Sequence, residues 1–245
     1  MKIYRCIQTN NKTQPFGANE PCVIKGARPF QFVPCGIPNS HKLYTGELNQ
    51  KGHNGVDWAS YYKEPVYFNV DIPGIEWEAD TQIDGAGSVH VIVRSKQPIP
   101  FAKIPVHESG SLKMIQKQFE ALGEKLYIQM RYDHLYQGYV FNKAPVVLGQ
   151  CIGLADSTGA SSGNHVHESI RVSDTHSWFY IDGDNGFNGC FDPDQYRTNE
   201  FVLDVIKEKS SDIIGLQLEV IKLSNIAISL LRKIIDIKSN HKHYV

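Results

Sequence analysis

Short runs of β-branched and aromatic residues, separated by turn-forming residues, constrain the fold of this chain more than any other feature. These runs occupy residues 66–70, 88–93, 126–132 and 146–148. The Asp84-Gly85 pair, between the first two runs, is typical of a tight turn that joins two paired strands. Many short strands punctuated by glycine favour a mainly β fold built on an antiparallel sheet. Residues 1–48 are rich in proline, glycine and asparagine, and we expect them to form lead-in strands and loops.

Two segments depart from the strand pattern. Within an insertion at residues 95–125, apolar residues at helical spacing predict a helix over residues 111–122. The C-terminal segment, residues 199–245, contains an apolar heptad pattern over residues 212–238 that predicts a long amphipathic helix or a coiled coil. The a-type positions are Ile213, Val220, Ala227 and Ile234, and the d-type positions are Leu216, Leu223, Leu230 and Ile237.

A second apolar stripe runs beside this heptad seam, through Ile214, Ile221, Ile228 and Ile235. The apolar face is therefore wider than a two-stranded coiled coil needs. The helix either packs on its own domain or joins an assembly, as a homo-oligomer or with another partner.

Composition excludes several classes of protein. With 25 Lys and Arg against 26 Asp and Glu, the net charge is -1, which argues against a nucleic-acid binder because such proteins need a basic excess. Hydrophobic residues make up 41% of the 245 residues, enough for a folded core. No apolar run approaches the ~18 residues of a membrane span. The N-terminus turns polar too early for a secretory signal peptide, so we expect synthesis in the cytoplasm.

The five cysteines do not form a recognisable framework. Their number is odd and no pair has Cys-x-x-Cys spacing, which argues against a zinc knuckle or a full set of disulfides. Reduced thiols are the simplest interpretation, although one disulfide, such as Cys22 with Cys35, stays open.

Several histidines lie at spacings that suit a metal. His53 precedes Asp57 by four residues, and His165 precedes His167 by two. In a strand, residues two apart point to the same face, so His165 and His167 can converge on one point. A catalytic zinc typically has three nitrogen or oxygen ligands from the protein, so these side chains are candidate ligands.

Three motifs in the same order resemble the lysostaphin-type zinc metallopeptidases, a family that includes the β-lytic endopeptidases. Residues 149–167, with the sequence GQCIGLADSTGASSGNHVH, resemble the family's glycine-rich signature that ends in His-x-His. The His53-x-x-x-Asp57 pair matches its upstream motif, and Tyr132-Asp133-His134-Leu135 matches its Tyr-x-His-Leu motif. The resemblance covers roughly residues 45–195.

The resemblance implies a role for each motif residue. His53, Asp57 and His167 would be the ligands of a Zn²⁺ ion, and His134 and His165 would be the catalytic acid/base groups. It also implies that residues 49–198 form a metallopeptidase domain, an antiparallel β-sheet groove with zinc on its floor. The expected activity is hydrolysis of peptide bonds in bacterial peptidoglycan. The alternative is a catalytically silent module that binds the cell wall or serves as a structural virion component.

Some residues depart from the family pattern. Glu168-Ser169 stands where the family continues Phe-Glu, and the missing second-position Glu would weaken a supporting hydrogen bond. Asp133 is expected to raise the pKa of His134 by favouring its charged form. His90 has no counterpart in the family, and we expect it to be a half-exposed strand residue.

The presumed substrate lies outside the cytoplasmic membrane, whereas the sequence lacks an evident export signal. A bacteriophage protein, either a lysin released at lysis or a virion-associated wall hydrolase, would reconcile these two observations. Residues 212–238 would then multimerise the protein or dock it on the phage particle. A bacterial enzyme released without a signal peptide is the alternative.

Overall fold

The computed structural model describes residues 1–16, 53–99, 127–173 and 189–241. Thirteen strands lie in these residues: β1 (Lys2–Arg5), β2 (Lys12–Gln14), β3 (Val56–Ala59), β4 (Pro65–Tyr67), β5 (Val70–Asp71), β6 (Trp77–Ile83), β7 (Val89–Ser95), β8 (Tyr127–Gly138), β9 (Ala144–Val146), β10 (Cys151–Ala155), β11 (His165–Ser173), β12 (Cys190–Phe191) and β13 (Arg197–Phe201). A short 3₁₀ helix spans Pro193–Tyr196, and one long helix, α1, spans Val202–His241.

The main sheet has ten strands in the described residues, with the order β2-β3-β11-β8-β7-β6-β9 along its principal path. Strands β4 and β10 extend it from β8, and β12 pairs with β11. A smaller sheet has the order β13-β1-β5, in which β1 runs parallel to β13 and antiparallel to β5. The remaining pairings are antiparallel, which confirms the predicted mainly β fold.

Alternation along the central strands separates a core face from a groove face. On β11, Val166, Glu168 and Ile170 are fully buried, whereas His165 and His167 on the opposite face are partly exposed. The same alternation puts Met130 and Tyr132 of β8 in the hydrophobic core. The groove face of these strands is therefore free to carry polar side chains.

The predicted C-terminal helix is present and longer than the heptad pattern indicates. It begins at Val202 rather than near residue 212, because the apolar residues Val202, Val205 and Ile206 already follow the helical spacing of three and four residues. Backbone contacts divide the chain into two compact units, Met1–Val202 and Leu203–Val245. Among the described residues, no helix is long and apolar enough to cross a membrane.

The strand predictions are largely correct. The run at 126–132 belongs to β8, and the Asp84-Gly85 pair lies in the turn between β6 and β7, where the Gly87 amide donates to the Asp84 carbonyl. The predicted helix at residues 111–122 and the Cys22–Cys35 pair lie outside the described residues. The division into 1–48, 49–198 and 199–245 stays a prediction.

Candidate metal centre

Three neighbouring strands bring the motif residues together. Asp57 of β3 pairs with His167 of β11, and His167 pairs in turn with Asp133 of β8. Directly opposite residues in a sheet share a face, so these side chains emerge on the groove side. His53 lies just before β3, and His134 follows Asp133. Residues separated by more than a hundred positions thus meet at one point.

The donor atoms of His53, Asp57 and His167 converge. His53 Nε2 lies 2.9 Å from His167 Nδ1 and 3.1 Å from Asp57 Oδ1. His167 Nδ1 lies 2.9 Å from the same Asp57 oxygen. Ligand atoms at ~2.0–2.1 Å from a tetrahedral Zn²⁺ are about 3.3 Å apart, so this triangle needs to expand by only a few tenths of an ångström to hold the ion. The donor set, two imidazoles and a carboxylate, is also one that zinc accepts.

Backbone carbonyls fix the tautomers of three of the histidines. The Nδ1 atoms of His53, His134 and His165 lie 3.1, 2.7 and 2.8 Å from the carbonyl oxygens of Pro15, Thr158 and Gly163. A carbonyl oxygen only accepts, so each Nδ1 carries the hydrogen and each Nε2 keeps its lone pair when the ring is neutral. His53 can therefore bind a metal through Nε2, and His134 and His165 can accept a proton there.

Asp57 is held as a carboxylate. Burial by itself raises the pKa of Asp57, but the imidazoles of His167 and His53, whose nitrogens lie 2.9 and 3.1 Å from Asp57 Oδ1, outweigh burial and lower that pKa well below the usual range. Conversely, burial lowers the pKa of His167, while its hydrogen bond to Asp57 raises that pKa overall. The charged carboxylate is the form that a metal needs as a ligand.

A close approach of the backbone supports His167. A Cβ atom on Gly55 would lie 2.6 Å from His167 Cε1 and 2.5 Å from the carbonyl oxygen of Glu168. Only glycine leaves room for the imidazole at this distance. Gly55 therefore belongs to the ligand framework although it carries no donor.

His134 owes its position to a β-bulge. Val89 pairs with Leu135, but Val91 pairs with Tyr132, so β8 contains one residue more than β7 at this point. His134 has a φ of 63°, in the left-handed region, which re-aims its side chain. Its backbone N–H donates to Ser88 Oγ at 3.3 Å.

Thr158 ties the bulge to the neighbouring strands. Its carbonyl accepts the His134 Nδ1 hydrogen, while its hydroxyl donates to the Leu135 carbonyl at 2.8 Å and accepts from the Val89 amide at 3.1 Å. One residue of the glycine-rich segment thus orients the imidazole of His134 and fixes both strands beside it.

Asp133 acts on the pKa of His134 in the expected direction, but it does not determine the net shift. Burial lowers the pKa of His134 and outweighs the carboxylate, whose effect alone would raise it. Arg131 explains why Asp133 has only a small effect on this pKa, because the guanidinium of Arg131 donates to both carboxylate oxygens of Asp133 at 2.8 Å. At neutral pH His134 is therefore the neutral imidazole that a general base must be.

His165 lies between His134 and Asp57. Its ring centroid is 4.5 Å from that of His134, and its Nε2 is 3.7 Å from Asp57 Oδ2. Its Nδ1 is also 3.2 Å from Ser161 Oγ. The two proposed acid/base histidines thus stand side by side next to the donor triangle, and neither belongs to it.

All five motif residues line one groove of about 660 Å³. The groove also contains charged residues that the sequence analysis did not assign to the site, namely Asp84, Arg131 and Arg171. Arg131 lies two positions before Asp133 on one strand, and this spacing was a signal that both share the groove face. His90 is buried rather than half-exposed, which corrects the expectation, and its Nδ1 lies 3.5 Å from Arg131 Nη2.

Asp84, His90 and Asp133 also come close enough together to suggest a second metal site. The guanidinium of Arg131 already lies among them, with Nη2 at 3.3 Å from Asp84 Oδ2 and 2.5 Å from Asp133 Oδ1. A side-chain cation thus neutralises this cluster, and the triangle of His53, Asp57 and His167 remains the candidate centre.

The chain is similar to several solved structures at low sequence identity. A zinc-containing peptidase from Vibrio cholerae has 17% identity and a TM-score of 0.41, over 81% of this chain and 41% of that one. The antimicrobial peptidase lysostaphin from Staphylococcus simulans has 18% identity and a TM-score of 0.42, over 80% of this chain and 54% of that one. A mutant catalytic domain of the prophage-encoded protein EnpA from Enterococcus faecalis has 21% identity and a TM-score of 0.32, over 59% of this chain and 78% of that one.

The chain thus spans about half or less of the first two of these structures. No protein-family model and no curated protein matches the sequence.

Proposed function

We propose that the protein is a zinc-dependent endopeptidase that hydrolyses peptide bonds of bacterial peptidoglycan. The convergence of His53, Asp57 and His167, with donor atoms 2.9–3.1 Å apart in an open groove, is the observation that carries the proposal. The order of the three motifs in the sequence also supports a zinc metallopeptidase activity. The peptidoglycan substrate rests on that resemblance.

Hydrolysis of a peptide bond would use the metal together with two histidines of the protein, His134 and His165. A bound Zn²⁺ would polarise the scissile carbonyl and lower the pKa of its water towards ~7. One histidine of the His134 and His165 pair takes a proton from the attacking water at Nε2 and returns it to the leaving amine as the C–N bond breaks. The other, whose Nδ1 hydrogen is bonded to a backbone carbonyl, donates from Nε2 in its protonated form to the oxygen that becomes negative during attack.

Metal content and activity test the proposal together. Elemental analysis of the wild type should find about one zinc per chain, and Asp57→Ala should lose both the zinc and the clearing of peptidoglycan suspensions. Asp212→Ala, at an exposed position of α1, is the matched control and should keep both. A folded wild type without zinc would refute the proposal. Zinc without hydrolysis of any peptidoglycan type would favour the silent wall-binding module.

The histidine pair gives a second test. His134→Ala and His165→Ala should each retain zinc, because neither side chain belongs to the donor triangle, yet turnover should fall about 100-fold or more. Loss of zinc in either variant would contradict this division of roles.

We further propose that α1 is an assembly element, through self-association or a virion partner. Its described seam residues Ile213, Leu216, Val220 and Leu223 are each more than half exposed, and such a stripe is costly to leave in water. A chain that ends near residue 205 should have a lower oligomeric state than the full chain in light scattering. An unchanged oligomeric state would reject this role.

The site of action is the cell wall, and a phage origin would explain how the protein reaches it. Mass spectrometry of purified particles should then detect the chain if it is virion-associated. Its absence from particles would leave release at lysis or a bacterial source.

A further inference from the structure

Arg131 lies on the floor of the groove, next to the metal centre. In the pairing of β8 with β11, Asp133 is opposite His167 and Arg131 is opposite Ser169. Arg131 is therefore on the same face as His167, and its backbone is offset from His167 by two residues, about 6.8 Å, along the strand direction. An extended peptide lying along the strands covers that distance in two of its own residues.

The guanidinium of Arg131 is held along one edge. Its Nε donates to both oxygens of Asp133 at 2.8 Å, and its Nη2 donates to Asp133 and, at 3.3 Å, to Asp84. Asp133 is buried, so the pair is screened from water and its geometry is fixed. Burial by itself lowers the pKa of Arg131, but Asp133 raises it overall, which keeps the side chain charged.

The other edge of the guanidinium is open. Among the described residues, Nη1 of Arg131 makes no hydrogen bond, although the side chain is 25% exposed and lines the groove. Nη1 offers two N–H donors in a plane that the protein has already oriented. One of these donors can make a charge-assisted hydrogen bond to a carboxylate oxygen, which is stronger than a hydrogen bond to the neutral oxygen of a carboxamide.

The charge of the groove is compatible with an anionic ligand. Its described lining contains two arginines, Arg131 and Arg171, and the three carboxylates of Asp57, Asp84 and Asp133. A divalent cation at the metal centre would change the net charge of these groups from -1 to +1. Both oxygens of Asp133 are already bonded to Arg131, which limits repulsion of a substrate carboxylate.

We propose that Arg131 is a specificity-determining residue that binds a carboxylate of the substrate about two residues from the cleaved bond. This inference rests on the proposed peptidase function and extends it to the class of peptide accepted. Peptides with a free acid at that position are preferred to those in which the acid is a carboxamide.

The test compares otherwise identical wall peptides in which each carboxylate in turn is converted to a carboxamide. For wild-type protein, one such change should lower kcat/KM about tenfold or more, the value of a charge-assisted hydrogen bond. Arg131→Lys keeps the charge but not the oriented Nη1 donor, and should lose most of that discrimination. Lys96→Gln, which removes an exposed cation that does not line the groove, should keep it.

Two further measurements separate the outcomes. The double variant Arg131→Gln/Asp133→Asn leaves no buried charge unpaired, and it should cleave the acid and amide peptides equally while remaining folded. Calorimetric binding of both peptides to His134→Ala requires no turnover, so it tests Arg131 even if hydrolysis fails.

Equal binding and equal cleavage of all the peptides by proteins with intact Arg131 would overturn the inference and leave the proposed function standing. Preferential binding without hydrolysis by the wild type would support Arg131 and refute the enzyme.

Discussion

The buried carboxylate of Glu168 gives the clearest prediction about the stability of the fold. Its side chain is fully buried beneath the metal centre, on the core face of β11. Its oxygens accept hydrogen bonds from Trp58 Nε1 at 3.1 Å, Asn69 Nδ2 at 2.8 Å and Arg197 Nη2 at 2.8 Å. The carboxylate thus joins three segments that are distant in the sequence.

Glu168→Ala should lower the free energy of unfolding by about 3 kcal/mol. Removing one partner of a buried ion pair costs about 3–5 kcal/mol, since the other charge is left without compensation. The lower end applies because Arg197 keeps its hydrogen bond to Asp194 at 2.9 Å. For a chain of this length the melting temperature should fall by on the order of 10 °C.

Glu168→Gln should cost less, about 1–3 kcal/mol. The amide retains one acceptor oxygen for Trp58 and Arg197, but its NH₂ group faces the Asn69 amide, which is also a donor. Asn69 cannot simply rotate, because its Oδ1 accepts from the Tyr132 hydroxyl at 2.6 Å.

Urea unfolding, followed by tryptophan fluorescence, measures these differences. Chelator-treated protein should be used, because a bound metal stabilises the folded state and would mask them. Glu76→Ala is the control: its exposed pair with Lys96, at 3.0 Å, should contribute less than about 1 kcal/mol. A loss in Glu168→Ala no larger than in this control would refute the reasoning.

Three further predictions concern the site and a buried thiol. Thr158→Val removes the hydroxyl that fixes the strands beside His134, so turnover should fall about tenfold or more at unchanged zinc content, with recovery in Thr158→Ser; an active valine variant would contradict this. Gly55→Ala places a methyl carbon 2.6 Å from His167 Cε1, so elemental analysis should find less zinc per chain, whereas full occupancy would show that the ring can shift. Burial raises the pKa of the Cys190 thiol, so iodoacetamide should modify it only after unfolding, as peptide mapping can check.

The sequence by itself determined the strand pattern and the set of side chains that meet. Alternation along a strand is a local property with a period of two, so His165 and His167 had to share a face wherever β11 lay in the sheet. The resemblance of the three motifs to a known family added His53, Asp57 and His134. The long helix could be predicted from the sequence for a similar reason, because its apolar seam repeats over several turns.

Only the tertiary structure determined the tautomers and the pKa values of these residues. The tautomer of His53 depends on the carbonyl of Pro15, and that of His134 on the carbonyl of Thr158, and both contacts join distant parts of the chain. The pKa of His134 is lowered because burial outweighs Asp133, and burial is a sum over all surrounding strands.

Arg131 is a second example of what the sequence predicts and what only the tertiary structure determines. Its position on the groove face follows from the spacing to Asp133, but its open Nη1 exists only because Asp84 and Asp133 engage the opposite edge. Periodicity along one strand places a side chain on a face, whereas hydrogen bonds between strands determine which of its atoms remain available to a ligand.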